Sequence, residues 1–328
     1  MLQLCDVKTV FGRSAGLFLP RAEMGVKAVD GVSLEIAPGE IVGLVGESGC
    51  GKSTLARTIM HLVRPSTGSV WLNGTNLSAL DEGALRTHRP DMQMVFQDPY
   101  ASLNPRLSVL QTLAEACRVR TRLSSTRVRN AVAEALERVG LDASCMSRYP
   151  HEFSGGQRQR VAVARALAPQ PRLLIADEPV SALDVSVQAQ IVNLLAGLCT
   201  NMHLTMLFIS HDLSVVHHLS RRIAVMYLGR IVEIGPAHDV YTAPIHPYTR
   251  TLIEAIAVPD PTREQPRRDA EAPAPGETPS PAHAPIGCAF HPRCRYAQSR
   301  CSVTRPELEA CAERGDRRVA CLRHDGLA

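Results

Sequence analysis

The sequence predicts an α/β protein built on a mainly parallel sheet, and three observations carry that expectation. Apolar runs of strand length recur along the chain, helical patterns lie between several of them, and one run leads straight into a glycine-rich turn and a helix. The runs are residues 41–46, 70–72, 92–96, 173–176 and 204–210, each bounded by turn or polar residues. Residues 127–139 place Val128, Val132, Ala135, Leu136 and Val139 on one helical face and stop at Gly140. Residues 222–227 and 230–234 flank a tight turn at Leu228-Gly229 and read as a hairpin. Strands separated by helices bury a sheet between helical layers.

Length and composition narrow the class. The 328 residues leave room for about two domains. Lys and Arg number 36 against 32 Asp and Glu, and a net charge of +4 is too mild to make nucleic acid or an anionic membrane the main partner. With 45% hydrophobic and 21% charged residues the chain is ordinary for a globular protein and not for a disordered one. No run of 18 apolar residues occurs, so no span of a bilayer is expected. Residues 1–8 lack the basic-then-apolar layout of a signal peptide, which points to the cytoplasm, where stable disulfides are rare.

Composition also divides the chain. Residues 1–257 carry the strand and helix patterns. Residues 258–287 read as an extended linker, with eight prolines between Pro259 and Pro285. Residues 288–328 hold five of the ten cysteines.

Gly46-Glu47-Ser48-Gly49-Cys50-Gly51-Lys52-Ser53-Thr54 matches G-x-x-x-x-G-K-[ST] between a strand and a helix, the context that this motif requires. Glycines let backbone N–H groups curl around a phosphate, and the helix N-terminus adds partial positive charge. Lys52 would bridge the β- and γ-phosphates of a nucleoside triphosphate, and Ser53 would hold Mg²⁺. Downstream, Leu173-Leu174-Ile175-Ala176-Asp177-Glu178 is an apolar strand ending in two acids. Asp177 suits Mg²⁺, and Glu178 suits orienting and deprotonating an attacking water.

Pro150-His151-Glu152-Phe153-Ser154-Gly155-Gly156-Gln157-Arg158-Gln159-Arg160 is a second glycine turn opening a helix, hence a second anion-binding helix terminus. It closely resembles the signature motif of ATP-binding-cassette ATPases. The resemblance implies a P-loop cassette with a RecA-like core, an antiparallel β subdomain and a helical subdomain at about 107–165, followed by the cysteine-rich extension. It implies a head-to-tail dimer with two ATPs between the subunits, Ser154 and Gly156 reaching the partner's γ-phosphate beside Gly155 and Gln157. Gln97 resembles the glutamine that links metal and attacking water to the membrane partner. Ser181-Ala182-Leu183-Asp184 resembles the loop that couples the two sites, and His211 the histidine that senses the γ-phosphate. Phe11 is the candidate for stacking on adenine; a half-buried strand residue is the alternative.

Two readings are set aside. Ser210-His211-Asp212 holds the residues of a hydrolytic triad, but consecutive side chains alternate faces on a strand. Cys50 lies near a helix N-terminus, which lowers a thiol's pKa; by resemblance it is a spacer whose alkylation would block ATP.

The likeness extends to the ATPase subunits of bacterial oligopeptide/dipeptide importers. Lys27-Ala28-Val29-Asp30-Gly31-Val32-Ser33, the motif Phe96-Gln97-Asp98-Pro99-Tyr100-Ala101-Ser102-Leu103-Asn104-Pro105-Arg106 and His246-Pro247-Tyr248-Thr249-Arg250 carry it. The Asp98-Pro99-Tyr100 version is similar to the second ATPase of such importers. This implies a heterodimer with a sibling ATPase, two transmembrane permease subunits, a solute-binding protein beyond them, and a place on the cytoplasmic face of the membrane. An importer for nickel or another small solute, or a non-transport cassette, are the alternatives. In the tail, Cys288, Cys294, Cys301 and Cys321 are spaced C-x₅-C-x₆-C-x₁₉-C and resemble the family's C-terminal motif, in which some members bind an iron–sulfur cluster. Four thiolates suit [4Fe–4S]; structural zinc, usually held by C-x₂₋₄-C pairs, and no metal at all remain open. Cys311 has no assigned role.

Overall fold

The structure is a computed structural model that describes residues 1–12, 25–98, 102–120, 124–256, 279–311 and 315–323. Pro99, Tyr100 and Ala101 of the importer-type motif and residues 258–278 of the proline-rich segment lie outside the described residues.

Two sheets organise the chain. Strands β1 (Leu2–Gly12), β2 (Gly25–Ile36), β4 (Thr67–Leu72) and β5 (Thr75–Asn76) form an antiparallel sheet in the order β2-β1-β4-β5. The larger sheet contains β3 (Ile41–Val45), β6 (Met92–Val95), β7 (Leu173–Asp177), β8 (Thr205–Ser210), β9 (Arg222–Tyr227), β10 (Arg230–Pro236), β11 (Glu309–Ala310) and β12 (Arg318–Val319). Its order is β11-β12-β10-β9-β3-β8-β7-β6, parallel from β9 through β6.

The central strands are apolar on both faces because both faces are covered. Every residue of β7 is buried. Leu173 and Ile175 pack with α1 (Lys52–Ile59) and the antiparallel sheet; Leu174 and Ala176 pack with the helices of the opposite face. That split is the alternation of side chains along a strand.

The opposite face carries α3 (Val109–Cys117), α4 (Ser125–Arg138) and α5 (Gly155–Leu167). Val128, Val132 and Leu136, the stripe expected from the sequence, face the common core of these helices. Ser108 and Ser154 each cap a helix through a reciprocal box with Gln111 and Gln157, which satisfies two otherwise orphaned N–H groups at each start. The remaining helices are α2 (Glu82–His88), α6 (Val185–Met202), α7 (Leu213–Leu219), α8 (Ala237–Thr242) and α9 (Pro247–Glu254). No helix among the described residues is long and apolar enough to cross a membrane.

The tail packs directly against the rest. β12 pairs antiparallel with β10 through Glu233↔Val319 and Ile234↔Arg318. Phe290 is buried in the large core beside Tyr227 and Tyr248. Arg317, 3% exposed, donates to the fully buried Glu233 over 2.5 Å.

Candidate active site

The glycine-rich turn lies between β3 and α1. Gly51 has φ +109°, and a Cβ there would stand 2.1 Å from the Ala28 carbonyl oxygen, so only glycine lets the loop run this close to β2. The hairpin turn braces it from the other side, with the Gly229 N–H donating to the Cys50 carbonyl over 2.8 Å. Lys52 is 4% exposed and donates to the carbonyls of Gly46 (2.7 Å) and Glu47 (2.9 Å). Its ammonium therefore sits within the curl of the loop, where anionic phosphate oxygens would outcompete neutral carbonyls.

Two acids enter from β7. Ser53 Oγ donates to Asp177 Oδ1 over 3.0 Å. Burial pushes the Asp177 carboxyl above its ordinary value, against the Ser53 hydrogen bond and with a further push from Glu178. Such a carboxylate is ready to be held ionised by a cation. Glu178 follows at φ +46°, a left-handed conformation that few non-glycine residues adopt. Its N–H is secured by the Ile209 carbonyl at 2.9 Å.

Three polar groups from separate elements meet Glu178. Gln97 Nε2, just beyond β6, donates to Oε2 over 3.2 Å. His211 Nδ1, at the end of β8, lies 3.4 Å from the same oxygen. Lys52 Nζ lies 3.9 Å from Oε1. Adjacent parallel strands end side by side, so four segments distant in sequence present polar groups at one edge of the sheet.

Ser210-His211-Asp212 makes no triad here. Asp212 caps α7, accepting from the N–H groups of Ser214 and Val215, and Ser210 Oγ accepts from the Asp212 N–H. Cys50 is 2% exposed, and burial pushes its thiol up despite the nearby Lys52 ammonium, so desolvation outweighs the helix terminus and the reactive-thiol reading stays set aside.

The other predicted residues stand elsewhere. Ser154 is exposed at the start of α5, and Gly155 and Gly156 pack against Leu183 and Val187, which brings that turn beside residues 181–184. Asp184 is exposed at the start of α6, and neighbouring Val185 is 83% exposed. Among the described residues, no hydrogen bond or ion pair joins Ser154, Gly155, Gly156 or Asp184 to Glu178. Phe11, 47% exposed at the end of β1, also stands clear of it.

Cys288, Cys294, Cys301 and Cys321 line one small cavity of about 20 Å³ beside His246 and His291. Burial pushes the Cys288 thiol up to about 11 and raises Cys294 and Cys321, with neighbouring thiols adding to each. No group of three His, Cys, Asp or Glu able to hold a metal ion occurs among the described residues.

Reasoning from sequence missed Tyr248 and Arg293. The Tyr248 phenol oxygen accepts the Glu47 N–H over 2.8 Å, and Arg293 grips the Glu47 carboxylate with two nitrogens. Tyr248 lies in a motif quoted for its family resemblance, but nothing in the sequence ties Arg293 to a loop 246 residues away.

Comparison with known proteins matches this arrangement. Residues 29–181 fit the family model described as ABC transporter, and residues 232–301 fit that described as oligopeptide/dipeptide transporter, C-terminal region. The oligopeptide transport ATP-binding protein OppF of Salmonella typhimurium is 46% identical over 100% of this chain and 97% of its own. The chain belongs to the ATP-binding subunits of oligopeptide/dipeptide ABC transporters. The di/tripeptide transport ATP-binding protein DppF of Pseudomonas aeruginosa is 47% identical over 96% of this chain and 95% of its own. Among solved structures, an ATP-binding cassette captured as a post-hydrolysis dimer with ADP and phosphate superposes at TM-score 0.64. It is 30% identical and covers 72% of this cassette ATPase and 99% of its own chain. The fold is that of ABC ATPases, and the activity is ATP hydrolysis coupled to transport.

Proposed function

We propose that this chain is the ATP-hydrolysing subunit that powers peptide import through a membrane transporter. The observation that carries the reading is the convergence of Gln97, His211 and Lys52 on Glu178, next to the bonded pair Ser53 and Asp177. In this reading Glu178 takes the proton of the attacking water, and Gln97 and His211 hold that carboxylate in place. Lys52 and the loop from Gly46 through Thr54 bind the phosphates. Ser53, Asp177 and Gln97 supply the oxygen ligands that suit Mg²⁺, which neutralises charge building on the phosphates when bound.

Hydrolysis is proposed to take place in a dimer. Ser154 at the start of α5 and Asp184 at the start of α6 are exposed, with Gly155, Gly156 and Gln157 half-buried beside Ser154. These two helix starts suit reaching ATP held by a second cassette, a sibling subunit in the favoured arrangement. Phe11 is exposed and free to stack on adenine. A groove of about 390 Å³ beside Gln97, lined by Leu62, Phe96, Leu107, Ala116 and Val119 among others, suits an apolar permease segment at the cytoplasmic face of the membrane. Leu62 and Val119 are each 54% exposed there. Closure of the dimer would then shift Gln97 and, with it, whatever occupies the groove.

The cysteine cavity offers the donor set that a [4Fe–4S] cluster takes: Cys301 is buried, Cys288, Cys294 and Cys321 are half-buried, and burial raises the pKa of those last three, which a cationic group would reverse. The space between them is about one water's worth, so the surrounding loops would part to admit it. Bound there, the cluster would staple a segment with little core of its own.

Affinity purification of the tagged chain from gently solubilised membranes tests the reading. Recovery of two multi-span proteins and a sibling cassette is expected. Recovery of ribosomal or DNA-associated proteins without membrane partners would leave the ATPase and remove the importer.

A further inference from the structure

Glu47 puts a negative charge inside the loop that is to bind a triphosphate. It is the second residue of the G-x-x-x-x-G-K-S run, so its backbone is part of the curl around the phosphates. A carboxylate free to turn inward would repel ATP in a partly desolvated site, where charges interact more strongly than in water. The structure holds it in place. Arg293 Nη1 lies 2.8 Å from Oε2 and Nη2 lies 2.9 Å from Oε1, a two-pronged, charge-assisted contact. Arg293 is itself 8% exposed and fixed from behind. Its guanidinium stands 5.7 Å from the Phe290 ring centre. Tyr248, fully buried, takes the Glu47 N–H over 2.8 Å. Both ends of Glu47 are thus held by residues outside the nucleotide-binding motifs.

We propose that Arg293 is a positioning residue for ATP binding: it neutralises Glu47 and holds its carboxylate away from the phosphates, so the tail sets the nucleotide affinity of the loop. The inference rests on the ATPase reading above and deepens it. Arg293 touches no substrate. It acts through Glu47, and its contribution is electrostatic as well as steric. Because Arg293 lies on the turn between Cys288 and Cys294, the segment that carries the thiols is also the one that grips the loop.

The test is ATP titration and steady-state ATPase kinetics on the full chain and four variants. Wild-type binding of ATP is the control; if it fails, the ATPase reading fails and not this one. R293M is expected to bind ATP roughly tenfold more weakly, with KM rising and kcat within about threefold, and the loss shrinking at high salt. R293K, which keeps the charge and loses the fork, is expected to fall between wild type and R293M. E47Q/R293M is expected to recover most of the affinity, since removing the charge removes the need to neutralise it. Thermal melts of each variant report folding independently. The proposal is overturned if R293M binds ATP as tightly as wild type. It is equally overturned if a folded E47Q/R293M binds as weakly as R293M, since Arg293 would then act only as a packing residue. The fourth variant, Y248F, removes the phenol that holds the Glu47 N–H and is expected to weaken ATP binding without changing its salt dependence. A salt-dependent loss like that of R293M would contradict the division of labour.

Discussion

Gln97 donates its side-chain amide to Glu178 across 3.2 Å and so joins the segment after β6 to the end of β7. The contact makes the groove beside Gln97 and the carboxylate that faces the phosphate loop parts of one linkage. Replacing the carboxylate with its neutral isostere is expected to lower ATP hydrolysis by about a hundredfold or more, the scale of a general base. E178Q should still bind ATP and accumulate as an ATP-bound dimer, read by phosphate release and size-exclusion chromatography. Wild-type turnover in E178Q would place the base elsewhere.

Q97A is expected to behave differently. It leaves Glu178 in place but removes the bridge, so basal hydrolysis should fall less than in E178Q, while stimulation by the assembled transporter is lost. Equal stimulation of Q97A and wild type in reconstituted vesicles would sever the proposed route to the membrane.

The buried pair Glu233–Arg317 anchors the tail to β10. R317M leaves a carboxylate at 0% exposure without its counter-ion and is expected to cost about 3 kcal/mol, at the low end for breaking a buried pair because Ile245 and His246 N–H groups still bond to Glu233. Urea unfolding measures it. E233Q/R317M should recover part of the loss, whereas a neutral R317M would mean that the pair holds nothing together.

His246 gives the fold an acid-sensitive point. It is fully buried, its Nδ1 accepts the Tyr248 N–H at 3.0 Å, and burial lowers its pKa from 6.5 to about 3, against a backbone hydrogen bond at Ala320. Between those values the unfolded chain binds a proton that the folded chain refuses. The contribution is therefore complete above about pH 6.5 and drains as pH falls towards about 3, by up to roughly 1.4 kcal/mol per pH unit. H246N should flatten that part of the stability profile when unfolding midpoints are compared at pH 7 and pH 5. Parallel profiles for the two proteins would contradict the assignment.

The tail thiols make a compositional prediction. Protein purified anaerobically should carry about four irons and four sulfides per chain, and C294S should lose them with the accompanying visible absorbance. Zinc in place of iron, or no metal in the wild type, would remove the cluster.

Much of the site was legible in the sequence because its parts are local motifs: a loop between a strand and a helix, two acids closing an apolar strand, a serine-capped glycine turn. Parallel strands then bring their ends together, and spacing along the chain need not be known. Strands β1 and β2 were not read from their own pattern. The alternation beginning Leu2, Leu4 shifts register before Val7, where the pairing with β2 is irregular, so a period of two is never sustained. Strands β11 and β12 are two residues each, too short for any periodic signal. The Glu47–Arg293 contact was invisible for another reason: a single arginine among many carries no pattern until the fold sets it against the loop.

Peptide uptake by cells in which this gene is the only one of its kind is the most direct measurement of the central claim. Wild-type chain should restore energy-dependent accumulation of a labelled peptide, and E178Q, present at equal level in the membrane fraction, should not. Accumulation restored equally by E178Q, or unaffected by loss of the gene, would contradict the account.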